Sequence, residues 1–208
     1  MAKSSRHRRG PVTLLSTGHA CVDVYQGSVA ALVPFLVSER AYPYAAAAGV
    51  VLAASLLSSV AQPLFGVLAD RRSVPWLLPV STLAAGAGIA LCGLTGQYAL
   101  TLAVVALSGV GVAAYHPEAA RVARIAGRGD DAAMGWFSLG GNLGFAAAPL
   151  LVSGVVGAGG LAASPLLVLP ALVGALLCAA ALRSTGRRLP PRADDASRSP
   201  AGRDDRAS

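Results

Sequence analysis

Six long apolar runs separated by short polar connections leave this chain few ways to fold. A helix crossing a hydrocarbon layer of about 30 Å needs roughly 20 mostly apolar residues, and in lipid only helices or closed barrels satisfy every backbone polar group. The runs lie at Thr13 to Val37, Tyr44 to Ala69, Pro75 to Thr95, Tyr98 to Ala119 with a polar extension to Ala126, Ala132 to Val156, and Leu161 to Leu182. A barrel would show alternating segments of about 10 residues, and these runs do not alternate. Only 13% of residues are charged, and they gather between and beyond the runs, so the chain is not one soluble domain. The expected fold is all-α: a polytopic membrane protein with six transmembrane helices. Residues 1–12 form a basic N-terminus, 13–182 the membrane domain, and 183–208 a tail rich in Arg, Asp, Ser, Pro and Gly that is expected to be disordered.

Walking the bases along alternate sides of the membrane gives an uneven tally. Lys3, Arg6, Arg8 and Arg9, then Arg71 and Arg72, then Arg121, Arg124 and Arg128, then seven arginines from Arg183 onward put 16 of the 17 bases on one side and Arg40 alone on the other. The positive-inside rule therefore places both termini in the cytoplasm of a cell-membrane protein. The net charge of +7 reflects that asymmetry and not a nucleic-acid surface. The basic start resembles a secretory signal, but His19, Asp23 and Gln26 interrupt its apolar core. Cys21, Cys92 and Cys178 each fall inside a span and imply no disulfide framework.

The loop after the second run reads Gly66-Val67-Leu68-Ala69-Asp70-Arg71-Arg72. It resembles the G-x-L-a-D-r-x-g-r-k motif between the second and third helices of major facilitator superfamily transporters, with Gly66, Leu68, Ala69, Asp70 and Arg71 matching. Ser73, Val74 and Pro75 depart from the pattern at its later end. Three further stretches, Gly18 to Gly27, Gly109 to Arg121 with its Tyr115-His116-Pro117-Glu118 core, and Phe137 to Phe145, look like the fosmidomycin-resistance branch of that superfamily. The resemblance runs over nearly all of Thr13 to Leu182. It implies proton-coupled export of small molecules, an anionic phosphonate antibiotic among them, with antibiotic resistance as the outcome. It also implies a fold of two six-helix halves, of which this chain matches the N-terminal one; the tail from Arg183 resembles the start of the linker between halves.

An ionisable side chain in mid-bilayer costs about 2.5–3.5 kcal/mol on insertion scales and marks a pathway or a partner. Asp23 lies roughly 15 Å along the first span, with His19 four residues before it and Gln26 three after, so the three share one helical face. A low-dielectric site disfavours the carboxylate and a protonated His19 favours it, which makes the pair a candidate for proton coupling. The alternative is that Asp23 bonds a neighbouring helix and His19 is a satisfied interior histidine.

In the fourth span Pro117 predicts a kink, and Glu118, expected near the cytoplasmic boundary, is read as a structural ion pair with Arg121 at i+3. Tyr115 and His116 line a cavity by resemblance. Asp70 faces Arg121 and Arg124 at one depth; by resemblance they form a gate, and otherwise a surface pair of small value. Glycines such as Gly86, Gly88, Gly109, Gly111, Gly135, Gly140, Gly141 and Gly144 permit close helix packing, and Asn142 among them is an amide that needs a partner. Gly49 with Pro63 and Gly135 with Pro149 recur at one interval, in keeping with inverted three-helix repeats.

An intramembrane serine protease is disfavoured because no His follows Ser138, and no Cys, His or acidic cluster has metal-ligand spacing along the sequence. The chain is therefore expected not to be an enzyme, and to use no metal and no cofactor beyond the coupling proton. Its expected partners are the lipid bilayer, a small-molecule solute, and a second six-helix half or a parallel homodimer. A non-transporting fragment or helper packed against another membrane protein is the competing reading.

Overall fold

The computed structural model describes residues 2–185, with side chains from Gly10 onward. Its helices are α1 (Ala2–Arg40), α2 (Tyr44–Arg71), α3 (Leu77–Cys92), α4 (Tyr98–Gly127), α5 (Asp131–Gly159) and α6 (Leu169–Thr185), the last preceded by a 3-10 segment, Leu161–Val168. There is no strand among the described residues. Five of these segments are long and apolar enough to cross a bilayer, and α3 is a shorter apolar helix of 16 residues.

The differences from the expected spans have local causes. The sixth span is not one α-helix. Pro165 and Pro170 remove two backbone donors, and the chain winds as a 3-10 helix over Leu161–Val168 before turning α-helical. The third span stops at Cys92 because Gly93 is drawn to the 3-10 segment: its N–H donates to Ser164 Oγ at 3.1 Å, and a Cβ there would lie 1.9 Å from the Leu161 carbonyl oxygen. The fourth helix continues through Pro117 to Gly127, and α5 runs on to Gly159, leaving a single glycine before the 3-10 turn. Of the expected tail, Arg183 to Thr185 close α6; the rest lies outside the described residues.

Packing follows an internal symmetry. The first helix lies against α5 and α6; the fourth lies against α2 and α3; α1 crosses α4, and α3 meets α6. Exchanging the first three helices for the last three leaves these neighbour relations in place, as inverted three-helix repeats require. The core is built from Leu15, Val22, Tyr25, Leu32, Leu78, Ile89, Val105, Tyr115 and Leu167, with Tyr25 donating from its hydroxyl to the Leu167 carbonyl at 2.9 Å. The second helix buries only Ala47, Val50, Ala54 and Ala69 and turns Leu52, Leu56, Val60 and Leu64 outward. An apolar outer face of that kind suits lipid or another helical unit.

Acid and base side chains tie the connections at both ends. At the C-terminal end of α1, Glu39 accepts from the Leu161 N–H at 2.9 Å, and Arg40 donates to the carbonyls of Gly93 (2.5 Å) and Thr95. Toward the C-terminal end of α4, Arg121 donates to Glu118 and, at 2.8 Å, to Ser73 Oγ in the connection between α2 and α3. Under the exchange of repeats, these two sets of contacts occupy corresponding places.

Candidate functional site: a carboxylate between two imidazoles

Halfway along α1, His19 and Asp23 stand one turn apart and face inward, because the helix repeat puts i and i+4 on one side. His19 Nε2 lies 3.2 Å from Asp23 Oδ2. The fourth helix crosses here and brings His116 Nε2 to 3.1 Å from the other oxygen, Oδ1. One carboxylate is thus held between two imidazoles, and His19 and Asp23 are only 7% and 8% exposed.

Each ring is fixed from behind. His19 Nδ1 lies 2.9 Å from the Phe137 carbonyl oxygen, and His116 Nδ1 lies 2.7 Å from the Val112 carbonyl oxygen. A carbonyl oxygen only accepts, so both Nδ1 atoms carry hydrogen and, in a neutral ring, both Nε2 atoms present a lone pair to Asp23. The Phe137 ring stacks on His19 at 4.2 Å and 20°, and the two histidine rings meet edge to face at 5.2 Å. The fifth helix closes the third side. Gly141 lies so near that a Cβ would stand 2.5 Å from Asp23 Oδ2 and 2.6 Å from His19 Cε1.

Three sets of lone pairs converging in a buried space repel one another unless something positive lies between them. Among the described residues, His19 Nε2 and Asp23 Oδ1 have no hydrogen-bond partner. A proton on either Nε2 would turn a repulsive contact into a charge-assisted one, and a proton on the carboxyl would turn it into a neutral donor–acceptor contact.

The other sequence-derived sites fall differently. Gln26 is exposed although it shares the helical face of His19 and Asp23, because Phe137 and Gly141 cover only the level of those two. Asn142 is exposed as well. Tyr115 does not line a cavity: it is fully buried, and Cys178 Sγ–H donates to its hydroxyl at 3.8 Å. Glu118 is fully buried and forms the expected i,i+3 pair: Arg121 binds it with Nε at 2.9 Å and Nη2 at 2.5 Å.

The expected pairing of Asp70 with Arg121 or Arg124 is absent among the described residues. Asp70, Arg71 and Arg124 are exposed, and Arg121 is committed to Glu118 and Ser73. Gly66 and Leu68 sit on the outer surface of α2, with nothing within 4 Å of a Cβ on Gly66. Nor is Gly135 a packing glycine, since it too has open space beside it. A groove of about 950 Å³ between the N-terminal halves of α1 and α5, lined by Thr17, Ala20, Trp136 and Leu143 among others, runs past the cluster without including its side chains.

Residues 15–205 match the Major Facilitator Superfamily. The chain belongs to that family, one of membrane transporters and not of enzymes. It is 33% identical over 148 residues to the Fosmidomycin resistance protein of Escherichia coli (strain K12), a match covering 71% of this chain and 36% of that protein. It is 32% identical over 136 residues to the Uncharacterized MFS-type transporter YfnC of Bacillus subtilis (strain 168), covering 65% of this chain and 33% of the relative. The matches thus span about a third of each relative's length. The chain is a multi-pass membrane protein of six apolar helical segments, the helix number of one half of the family's fold.

Reasoning from sequence named His116 as a cavity residue and Gly141 as a packing glycine, but did not bring them, or Phe137, to Asp23 and His19. Phe137 and Gly141 lie within one of the stretches that carry the family resemblance, and their proximity to His19 is a matter of tertiary approach. The contact of His116 with Asp23 was likewise invisible to spacing along the chain. For the same reason, the expectation that no metal-ligand set exists did not anticipate that His19, Asp23 and His116 come together.

Proposed function

We propose that this chain forms one half of a proton-coupled exporter of small molecules, with Asp23 and the two histidines as the proton-carrying group. The observation that carries the reading is the buried carboxylate bracketed by two imidazoles inside crossing membrane helices of a family member. Such a cluster is costly to build in a bilayer and has no evident structural need, unlike Glu118, which Arg121 already compensates. A second six-helix unit supplies the other wall of the solute path, either as further chain or as a second copy inserted in parallel; the 16-to-1 bias of bases opposes an antiparallel pair. Both termini face the cytoplasm of the cell membrane. Gln26, His116 and Asn142 are available on the side such a unit would cover, and Asp70 with Arg71 and Arg124 lies exposed at the inner end, where a gate between units would form. Fosmidomycin, named for one relative, is the first solute to test.

Asp23→Asn retains size and hydrogen bonding while abolishing titration. In proteoliposomes the variant should insert and remain folded, yet lose solute flux driven by an imposed pH gradient. Undiminished pH-driven flux through Asp23→Asn would take the cluster out of the mechanism.

A further inference from the structure

The cluster also has the form of a metal centre. Two imidazole nitrogens and a carboxylate oxygen, one from each of His19, His116 and Asp23, lie within 4.8 Å of one another. With Zn–N and Zn–O bonds of about 2.0–2.2 Å, neighbouring donor atoms around a tetrahedral ion stand about 3.3 Å apart. Each imidazole already has about that spacing from one oxygen of Asp23, His19 from Oδ2 at 3.2 Å and His116 from Oδ1 at 3.1 Å, so the carboxylate would turn both oxygens toward the ion. The two imidazoles would need to approach each other by no more than 4.8 − 3.3, about 1.5 Å.

Three further observations point to a cation. Both rings have Nδ1 on a backbone carbonyl, Phe137 for His19 and Val112 for His116, which is how metal-binding histidines are commonly oriented and kept with Nε2 free to ligate. His19 Nε2 and Asp23 Oδ1 are buried polar atoms aimed into the space between the three groups and lack a hydrogen-bond partner. The His116 side chain is 23% exposed, which leaves an entry and room for water as a fourth ligand. Two nitrogens among three donors disfavour calcium and magnesium, which take oxygen, and favour a late first-row ion.

We propose that His19, Asp23 and His116 form a binding site for a divalent transition-metal ion, with Zn²⁺ as its representative. The ion takes the place that protons take in the transport reading, so the two are alternative occupants of one site. The proposal stands on the cluster's geometry alone; a chain that carries no solute could still hold the metal, and a transporting chain could lack it.

The test is calorimetric titration of the purified full chain in detergent with Zn²⁺, joined by the visible absorption of Co²⁺ as a reporter of its ligands. One ion per chain should bind saturably. Asp23→Asn and His116→Gln should each weaken binding by more than the roughly 10–100-fold that loss of an outer partner costs, while His7→Ala should leave it unchanged. For a variant that fails to fold, ¹⁵N spectra of the unsubstituted chain replace it: Zn²⁺ should move the Nε2 resonances of two of the three histidines and leave their Nδ1 atoms protonated. Absence of saturable binding, binding that survives both ligand substitutions, binding that disappears with His7→Ala, or fewer than two shifted histidines would overturn the proposal.

Discussion

The closest approach between α1 and α5 gives a stability difference that can be worked out position by position. A Cβ on Gly144 would lie 2.0 Å from the Ala20 carbonyl oxygen, and one on Gly140 would lie 2.1 Å from that of Ser16. Ordinary contact begins at 3.4 Å, so alanine at these positions forces the helices apart by 3.4 − 2.0 = 1.4 Å and 3.4 − 2.1 = 1.3 Å. The obstructing atoms are backbone and cannot rotate away. Gly135, on the same helix, has nothing within 4 Å and serves as the reference. Alanine gains about 0.5–1 kcal/mol over glycine in a helix interior at every position. That gain cancels between variants and leaves the overpacking term, about 1–3 kcal/mol, as the difference between Gly144→Ala and Gly135→Ala. Equilibrium unfolding of each variant in mixed micelles, followed by helical circular dichroism, measures it. Gly135→Ala should equal or exceed the unsubstituted chain, and Gly140→Ala and Gly144→Ala should fall below it. Equal stability of Gly144→Ala and Gly135→Ala would refute the close packing of α1 on α5.

Two more outcomes follow from the ends of the helices. Arg121→Ala strands the buried Glu118 carboxylate and should destabilise the chain by about 3–5 kcal/mol in the same assay, whereas Arg121→Leu with Glu118→Leu should recover most of the loss; a fully additive double variant would contradict the pairing. For orientation, single cysteines at Gly96 and Arg128, both exposed, should be labelled by an impermeant thiol reagent from outside and from inside respectively. Labelling of the second site in intact cells would reverse the topology.

Hydropathy made α1, α2, α4 and α5 legible because a membrane span is a composition as much as a pattern. The start of the sixth span was not, since Pro165 and Pro170 sit in a run as apolar as any other and hydropathy does not register the backbone donors they remove. In the site, His19 and Asp23 were legible together because i and i+4 meet within one helix. His116, Phe137 and Gly141 join them through the crossing of α4 and α5, and no local spacing encodes a crossing point. The exposure of Gln26 has the same root: a helical wheel gives it the direction of His19 and Asp23, while burial depends on which neighbour covers that level. Asp70 was paired with Arg121 by equal depth, yet Arg121 had a nearer acid three residues away on its own helix.

The two ties at the ends of α1 and α4 bear on how this bundle could move. Glu39 and Arg40 fasten the first helix to the connections that follow α5 and α3, and Arg121 fastens the fourth to the connection between α2 and α3. Each lead helix is hooked into the opposite repeat, and the hooks lie at opposite faces of the membrane. Neither leaflet can then open by peeling one repeat from the other without breaking a charged contact. The six helices would tilt as a stiff lever, and displacement at one membrane face would be matched by an opposite displacement at the other.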